Sequence, residues 1–441
     1  MSKSDLRKAF LVSLPRSGST MLQRLLAGHS RIISPNEPWI LLRLLYPRRW
    51  GAEAAAYDTE SERIAVQQFL DKTGDAETVY AEAVRLFADR LYEAYTDNYL
   101  KEKNQPEKDG YMMLDKTPRY YLVLPELRKV YPKAPIILLK RNPLAILASM
   151  VRTWTGLKPD SPHFSNILPD LLLAIDQIND FAVSMETDPS VVAVKYEDLI
   201  ENPEKELKLL CAGLDIPFEK EMLSYSNSNE TKGILGDKAN VDAYSAPEKK
   251  FAQQYKTLLS ERKEFQSLSV WYLLYTGTEA INTFGYDSFT LLIEVLENQF
   301  EETCGNNFVH QINGQTGGQL LNNSKRMEEH FCKWTEMLLQ KNELRMARRW
   351  IQLSSGMIQN MEFGRLYTLM LDAADGDSSG IKNLTNLGSQ TGSAEVANKA
   401  AVFLSQYKLA AALKSMRNAA SLAPDNEEIQ TNLKALQRLR R

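Results

Sequence analysis

Residue types suited to phosphate binding are concentrated near the start of the chain. The stretch "FLVSLPRSGSTML", residues 10–22, is an apolar run that ends at Pro15. It is followed by an arginine, a glycine and three hydroxyl residues, namely Arg16, Ser17, Gly18, Ser19 and Thr20. Glycine lets the backbone turn tightly, and backbone N–H groups that open a helix bind phosphate. The stretch therefore predicts a phosphate-binding loop.

This loop lacks the lysine of a nucleotide-hydrolysing loop. A Walker loop reads G-x-x-x-x-G-K-[ST], whereas the loop here is shorter and no magnesium-binding acidic strand is recognisable after it. We therefore predict that the phosphate is held and not hydrolysed. A P-loop kinase or another nucleotide hydrolase is the alternative.

Three further apolar runs also end in or before a cation. With the first run they are residues 9–14, 111–114, 135–140 and 191–195, and the cations are Arg16, Lys116, Arg141 and Lys195. Short continuous apolar runs are typical of parallel strands that are covered on both faces. Because ligands of such sheets bind outside the carboxyl ends of the strands, we expect these cations to face one anionic ligand.

The elements that position these residues alternate between strand and helix. A helical pattern ends near Gly28, and Asn142 with Pro143 predicts a capped helix start that Asn202 with Pro203 repeats. The alternation predicts an α/β domain with a mainly parallel sheet. Residues 54–103 have the pattern of a helical insertion, and residues 224–250 that of a substrate loop.

Four stretches resemble motifs of sulfotransferases that use 3′-phosphoadenosine 5′-phosphosulfate (PAPS). "PRSGST" resembles the 5′-phosphosulfate loop, and "LLKRNPLAILASMVRTW" resembles the 3′-phosphate motif, with Arg141 and Ser149 at the family spacing. "VKYEDL" places Tyr196 as an aromatic contact near the adenine, and "TFGYDS" resembles the usual end of the domain. The resemblance implies a P-loop-type three-layer α/β domain with a mainly parallel sheet. The implied PAPS-binding residues are Arg16, Ser17, Gly18, Ser19, Thr20, Arg141, Ser149 and Tyr196.

The same resemblance leaves the general base to be found. The loop is similar to the branch that includes protein-tyrosine, heparan-type and many bacterial sulfotransferases. The cytosolic small-molecule branch carries a histidine after a Lys-Thr pair, where this chain has Pro118. By likeness to the protein-tyrosine branch, Glu37 in "SPNEPWILL" is the implied base, and Trp39 could supply the partial desolvation that an effective base needs.

The resemblance implies a catalytic set of Glu37, Arg16 and Lys116. The two cations would neutralise charge on the leaving phosphate and on the sulfuryl oxygens. Glu37 could instead be a surface helix cap. His29 is the alternative base, although it is also placed as a helix-end residue, and Asp115 is expected to orient Lys116.

Composition and charge exclude several classes of function. The chain has 441 residues and a formal net charge of −3, so we expect no nucleic-acid partner. No run has the length of a membrane helix, and the first residues do not resemble a signal peptide. Three widely spaced cysteines form no zinc or disulfide pattern. We expect a cytoplasmic enzyme without a metal.

The chain divides by pattern into three parts. We predict a sulfotransferase domain over 1–287, a connecting helix and linker over 288–324, and a helical region over 325–441. Residues 401–433 resemble one tetratricopeptide-type repeat, and an irregular helical bundle fits as well. We expect a chain truncated near Asp287 to stay soluble.

The acceptor and the partners stay open at this point. Carbohydrate, peptide, lipid and small-metabolite acceptors all fit the sequence. The helical tail is where we expect any protein partner or self-association. A catalytically inactive scaffold is a further alternative, which the retained Arg16, Arg141 and Ser149 argue against.

Overall fold

The computed structural model describes residues 6–51, 58–105, 109–224, 250–298, 300, 307–318, 323–358 and 361–439. Most of the predicted substrate loop, residues 225–249, lies outside the described residues. The described chain forms two compact units. The first unit comprises Met1–Leu157, Ser161–Leu258 and Ala280–Tyr286, and the second comprises Lys158–Asp160, Leu259–Glu279 and Asp287–Arg441.

A five-stranded parallel sheet lies in the first unit, with the strands in the order β2-β3-β1-β4-β5. The strands are β1 (Arg7–Ser13), β2 (Ile32–Ile33), β3 (Met112–Lys116), β4 (Ile136–Lys140) and β5 (Val191–Lys195). Four match the predicted apolar runs to within two residues at each end. The two-residue β2 was not predicted, because a pair of isoleucines gives no periodic signal. The expectation of a parallel sheet is confirmed.

Helices follow the strands, as the alternating pattern predicts. In the first unit and at its border they are α1 (Ser19–Leu26), α2 (Ile40–Trp50), α3 (Thr59–Leu70), α4 (Ala76–Glu102), α5 (Leu124–Val130), α6 (Pro143–Met150), α7 (His163–Ser184), α8 (Tyr196–Glu201), α9 (Pro203–Gly213) and α10 (Lys250–Glu261). A 3₁₀ turn spans Pro118–Val123 and a π turn spans Val151–Thr155. The predicted insertion consists of α3 and α4.

Two predicted helix starts have different outcomes. The side chain of Asn142 accepts hydrogen bonds from the N–H groups of Leu144 and Ala145, so the predicted cap of α6 is confirmed. Helix α9 begins at Pro203, yet the side chain of Asn202 makes no capping bond. The N–H of Asn202 closes the preceding helix α8 on Asp198, so its backbone conformation is set by that helix end.

The order of the strands has a switch point at β1. The chain runs from β1 to β2 and β3 on one side and then crosses to β4 and β5 on the other. In open α/β sheets, the crevice outside such a switch point is where ligands bind. Here the switch point lies at β1, whose carboxyl end is followed directly by the predicted phosphate-binding loop.

The second unit is helical. Its helices are α11 (Lys263–Thr276), α12 (Thr278–Thr283, at the border), α13 (Ser288–Leu296), α14 (Asn307–Gln315), α15 (Ser324–Gln340), α16 (Leu344–Ser354), α17 (Met361–Ala374), α18 (Ser378–Thr391), α19 (Ala394–Leu404), α20 (Leu409–Leu422) and α21 (Glu427–Leu439). From α17 onward, each helix packs against the next along the chain. The likeness to tetratricopeptide repeats stays a prediction, and so does the domain division at residue 287.

Helix α14 lies inside the segment whose composition predicts a linker or exposed excursion. Phe308, Val309 and Ile312 have helical spacing and are buried. They form an apolar face that the surrounding asparagine, glycine and glutamine residues obscure in the sequence. Residues 301–306 and 319–322 lie outside the described part of the chain.

Candidate active site

The predicted phosphate loop connects β1 to the start of α1. Gly18 precedes the helix with φ +92°, in the left-handed region that favours glycine, and Arg16 has φ +69°. The first intrahelical bond runs from the N–H of Leu22 to the carbonyl of Gly18, so the N–H groups before Leu22 open the helix. Ser17 Oγ is fully buried and has no hydrogen-bond partner among the described residues.

Arg16, Arg141 and Ser149 meet at this loop, although they are far apart in sequence. The Arg16 guanidinium donates from Nε to Ser149 Oγ over 3.1 Å. Arg141 donates from Nη1 to the carbonyl oxygen of Arg16 over 2.9 Å. Burial is the main cause that lowers the pKa of Arg141, because a charged group loses its hydration inside the protein. The structure therefore places a desolvated guanidinium directly beside the loop.

Tyr196 closes one wall of this cluster. Its ring lies 4.3 Å from the Arg141 guanidinium carbon, a distance typical of cation–π contact. The same ring leaves no room for a side chain at Gly18, where a Cβ atom would lie 2.5 Å from Tyr196 Cδ2. Glycine is thus required at position 18 by the close approach as well as by its φ angle.

Lys116 connects the loop to Glu37. Its ammonium donates to Glu37 Oε1 over 2.7 Å and to Thr20 Oγ1 over 3.4 Å. The Lys116 side chain is fully buried, and that of Glu37 is 11% exposed. The indole N–H of Trp39 donates to the other carboxylate oxygen of Glu37 over 3.1 Å. Glu37 is not a surface helix cap, since Trp39 occupies the cap position of α2.

Asp115 does not orient Lys116 as expected. Neighbouring residues of a strand point to opposite faces, and among the described residues Asp115 makes no hydrogen bond to Lys116. It accepts hydrogen bonds from three hydroxyl groups, those of Tyr92, Thr117 and Tyr120. Burial raises the pKa of Asp115 to about 6, against the lowering effect of these three donors.

His29 is a structural residue at the end of α1. Its Nδ1 accepts from the N–H of Arg31, and its Nε2 lies 3.0 Å from the carbonyl oxygen of Pro217. Both ring nitrogens are therefore used in backbone contacts. This confirms the placement of His29 as a helix-end residue and removes it from the list of candidate bases.

Lys195 is not brought into the cluster. It pairs in register with Lys140, the last residue of β4, and these two lysines come directly before Tyr196 and Arg141, which follow the ends of β5 and β4. Its ammonium lies 5.3 Å from the ring of Tyr286, and that of Lys140 lies 5.3 Å from Phe284. Of the four strand-end cations, Arg16 belongs to the loop after β1, and Lys116 and Arg141 donate hydrogen bonds to that loop.

Comparison with known proteins identifies this arrangement. Residues 9–220, which include most of β1, all of β2 to β5 and every candidate site residue, match the family model described as the sulfotransferase family. This part of the chain is similar to that family.

Several named relatives share this part of the chain. The sulfotransferase-family region is 33% identical over 231 residues to nodulation protein NoeE of Sinorhizobium fredii, covering 46% of this chain and 49% of that protein. It is 25% identical over 224 residues to protein-tyrosine sulfotransferase 1 of Danio rerio, covering 50% of this chain and 56% of that protein. The chain thus spans about half the length of these relatives. A solved structure titled as a sulfotransferase domain from the curacin biosynthetic pathway aligns with a TM-score of 0.39 at 24% identity, covering 61% of this chain and 97% of that one.

The sequence analysis missed one aromatic residue of this sulfotransferase-family site. The ring of Trp154 lies 5.9 Å from the guanidinium carbon of Arg16. Trp154 sits on the π turn that continues α6, and the turn ends at Gly156 with φ +61°. Because a π turn changes the rotation per residue, the 3.6-residue period that places Ser149 does not place Trp154.

The described residues include neither a membrane-spanning helix nor a metal-binding cluster. No helix among them is long and apolar enough to cross a membrane. Within the same residues, no group of three or more histidine, cysteine, aspartate or glutamate side chains is arranged to hold a metal ion.

Proposed function

We propose that this sulfotransferase-family domain transfers a sulfuryl group from PAPS to a hydroxyl or amine of an acceptor, with Glu37 as the general base. The observation that carries the proposal is the meeting of Arg16, Arg141 and Ser149 around the loop at the switch point of the sheet. Two phosphate motifs 125 residues apart in sequence contact each other there. Such a pairing suits a ligand with two separate phosphate groups.

The residues present fit the phosphates of PAPS. The buried hydroxyl of Ser17 has no hydrogen-bond partner among the described residues. Because buried polar groups are normally hydrogen-bonded, this hydroxyl is suited to donate to a phosphate oxygen of the ligand. The N–H groups that open α1 suit the 5′-phosphosulfate. Arg141 and Ser149 would hold the 3′-phosphate, with a guanidinium that can bind it through two N–H groups, and Tyr196 would contact the adenine.

The arrangement around Lys116 supports the transfer step. PAPS supplies the sulfuryl group, whose bond to the phosphate oxygen breaks as a bond to the acceptor oxygen or nitrogen forms. Lys116 lies between the loop hydroxyl of Thr20 and the carboxylate of Glu37. With Arg16 it would neutralise the negative charge on the departing phosphate. Glu37 would take the proton of the acceptor through a lone pair that its two present donors leave unused.

The proposal makes a direct prediction for nucleotide binding. By calorimetry, 3′-phosphoadenosine 5′-phosphate, the product nucleotide, should bind more tightly than AMP, which lacks the 3′-phosphate, and more tightly than ATP. Arg141→Ala should weaken the binding of the product nucleotide by about 1.5–3 kcal/mol, the range for a hydrogen bond to a charged group. The same substitution should change the binding of AMP little. Equal affinity for the product nucleotide and AMP would refute the two-phosphate assignment, and a preference for ATP would favour a kinase.

The acceptor class is open within the proposal. Carbohydrates, peptides, lipids and small metabolites with a free hydroxyl or amine should each be incubated with ³⁵S-labelled PAPS and the purified full chain. Transfer of label to one class identifies the acceptor. Tight binding of the nucleotide with no transfer to any class would favour the inactive scaffold.

A further inference from the structure

We propose that the segment 117–121, which follows β3, is a clamp that positions Glu37 by holding the backbone of Trp39 and Leu41. Its value for catalysis rests on the function proposed above, because it concerns the orientation of the proposed base. The clamp itself consists of contacts that exist in the protein without any ligand.

The clamp grips the segment after Glu37 at three points. Thr117 Oγ1 accepts from the backbone N–H of Trp39 over 3.4 Å. The hydroxyl of Tyr120 accepts from the backbone N–H of Leu41 over 3.2 Å. Between them, the guanidinium of Arg119 lies 5.5 Å from the centre of the Trp39 ring. Both the backbone and the indole of Trp39 are therefore held from the same short turn.

Two buried carboxylates anchor the clamp. Asp115, on β3, accepts from Thr117 and from Tyr120, over 2.9 Å in each case. Asp170, on α7, accepts two hydrogen bonds from the guanidinium of Arg119, at 3.0 and 2.7 Å, and one from the Tyr121 hydroxyl at 2.8 Å. Each carboxylate is 1% exposed. A hydroxyl that donates to a buried carboxylate has its lone pairs directed elsewhere, so Thr117 and Tyr120 are fixed as acceptors for the two N–H groups.

The held segment is strained, which indicates that the surroundings dictate its conformation. Trp39 has φ +56°, in the left-handed region that a bulky residue rarely adopts. Such a backbone conformation is unfavourable and persists only where neighbouring contacts enforce it. With this backbone, the indole N–H of Trp39 turns back onto Glu37, two residues earlier.

The clamp also accounts for the residue where the histidine-based branch of the family carries its base. Pro118 occupies that position and is the first residue of the 3₁₀ turn, where its fixed φ is compatible with a helical start. The segment that supplies the base in one branch here supports a base from another loop.

Two pairs of matched variants test the clamp. Thr117→Val keeps the shape of the side chain and removes the hydroxyl, whereas Thr117→Ser restores it. Tyr120→Phe removes the hydroxyl that accepts from Leu41. Tyr92→Phe removes a hydroxyl that donates to the same Asp115 oxygen from α4 and makes no described hydrogen bond to the 37–41 segment.

The first readout is independent of catalysis. The chain has six tryptophans, and the indole ¹H–¹⁵N resonance of Trp39 can be assigned from the spectrum of Trp39→Phe. Thr117→Val and Tyr120→Phe should shift that resonance, whereas Thr117→Ser and Tyr92→Phe should leave it in place. If it stays in place in both test variants, or moves equally in Tyr92→Phe, the clamp is refuted. The two test variants remove different bonds, so a folding failure of one leaves the other to decide.

The second readout separates the clamp from the proposed chemistry. With an acceptor from the labelled-donor screen, Thr117→Val and Tyr120→Phe should lower kcat by about 10–100-fold, the effect of a small misplacement of a catalytic group, with nucleotide affinity unchanged. In a Glu37→Gln background, the same substitutions should lower kcat little further. If Glu37→Gln retains full activity while the Trp39 resonance responds as expected, the clamp stands and the assignment of the base fails. If Glu37→Gln is impaired and the clamp variants retain full kcat, the clamp has no catalytic role.

Discussion

At the scale of single residues, hydrogen bonds and ion pairs fix the orientation of the side chains in the candidate site. Glu37 is held by two donors of different chemistry, the ammonium of Lys116 and the indole of Trp39. A carboxylate whose two oxygens each accept a hydrogen bond is held in one orientation and keeps further lone pairs for another partner. This is the arrangement that a general base needs, because geometry precedes basicity in proton transfer.

The proposed base can be tested by removing its basicity alone. Glu37→Gln keeps the size of the side chain and an oxygen for Lys116. We expect kcat on a confirmed hydroxyl acceptor to fall by about 10²–10⁴-fold, with little change in nucleotide affinity by calorimetry. Trp39→Phe, which removes the orienting indole N–H and keeps the carboxylate, should lose less. Near-normal turnover of Glu37→Gln would contradict the assignment, and Asp115 would be the next carboxylate to test.

Asp115 gives a prediction for stability against pH. Burial raises its pKa from the ordinary 3.8 to about 6 in the folded protein. The folded protein therefore binds a proton at Asp115 near pH 6, whereas the unfolded chain binds it only below pH 4. Protonation of Asp115 stabilises the folded state, and this stabilisation is lost as the pH rises through 6. Relative to Asp115→Asn, the wild type should gain about 1.4 kcal/mol in urea unfolding between pH 8 and pH 5. An unchanged difference between the two proteins would show that Asp115 titrates normally.

At the scale of elements, the local signals in the sequence predict strands and capped helices well. The four main strands, the parallel sheet and the start of α6 all follow from apolar runs and from Asn142 with Pro143. Contacts between segments that are distant in sequence cannot be predicted from such local signals. The partners of Asp115 come from α4 and from the 3₁₀ turn, and no spacing rule brings them together. The direction of Trp154 depends on a π turn, which breaks the helical period.

The N-terminal cap of α6 stabilises the helix that carries Ser149, one of the two residues proposed to hold the 3′-phosphate. Asn142 accepts from the N–H groups of Leu144 and Ala145 at 2.9 and 3.3 Å. Asn142→Ala should lower the free energy of unfolding, measured in urea, by about 1 kcal/mol. It should also weaken the binding of the product nucleotide. Asn142→Asp keeps an accepting oxygen and should restore most of the stability. A variant with alanine that is as stable as the wild type would show that the cap contributes nothing.

At the scale of the whole molecule, the chain does not divide at a single point. The second unit includes residues 259–279 as well as 287–441, whereas 280–286 belong to the first unit. The change from an α/β to an all-helical pattern near residue 287 is visible in the sequence. The assignment of α11 to the helical unit is not, because its apolar residues would suit the core of either unit.

This interleaving changes the expected behaviour of a truncated chain. Helix α11 is buried from Phe265 to its last residue, including Trp271, Leu273 and Leu274. Helix α15 covers it: the indole N–H of Trp334 donates to the carbonyl of Leu273, and His330 Nδ1 lies 3.0 Å from the carbonyl oxygen of Leu274. A chain of residues 1–287 keeps α11 and loses α15, so it exposes a large apolar face.

We therefore expect residues 1–287 alone to aggregate or to bind a hydrophobic dye, in contrast to the solubility that the sequence pattern suggests. Co-expression with residues 288–441 should yield a soluble complex that binds 3′-phosphoadenosine 5′-phosphate, because the second fragment restores the cover of α11. Size-exclusion chromatography and dye fluorescence of the two preparations would measure the difference. A monodisperse 1–287 fragment without dye binding would mean that α11 can fold without the helical tail, and would establish the tail as an independent module.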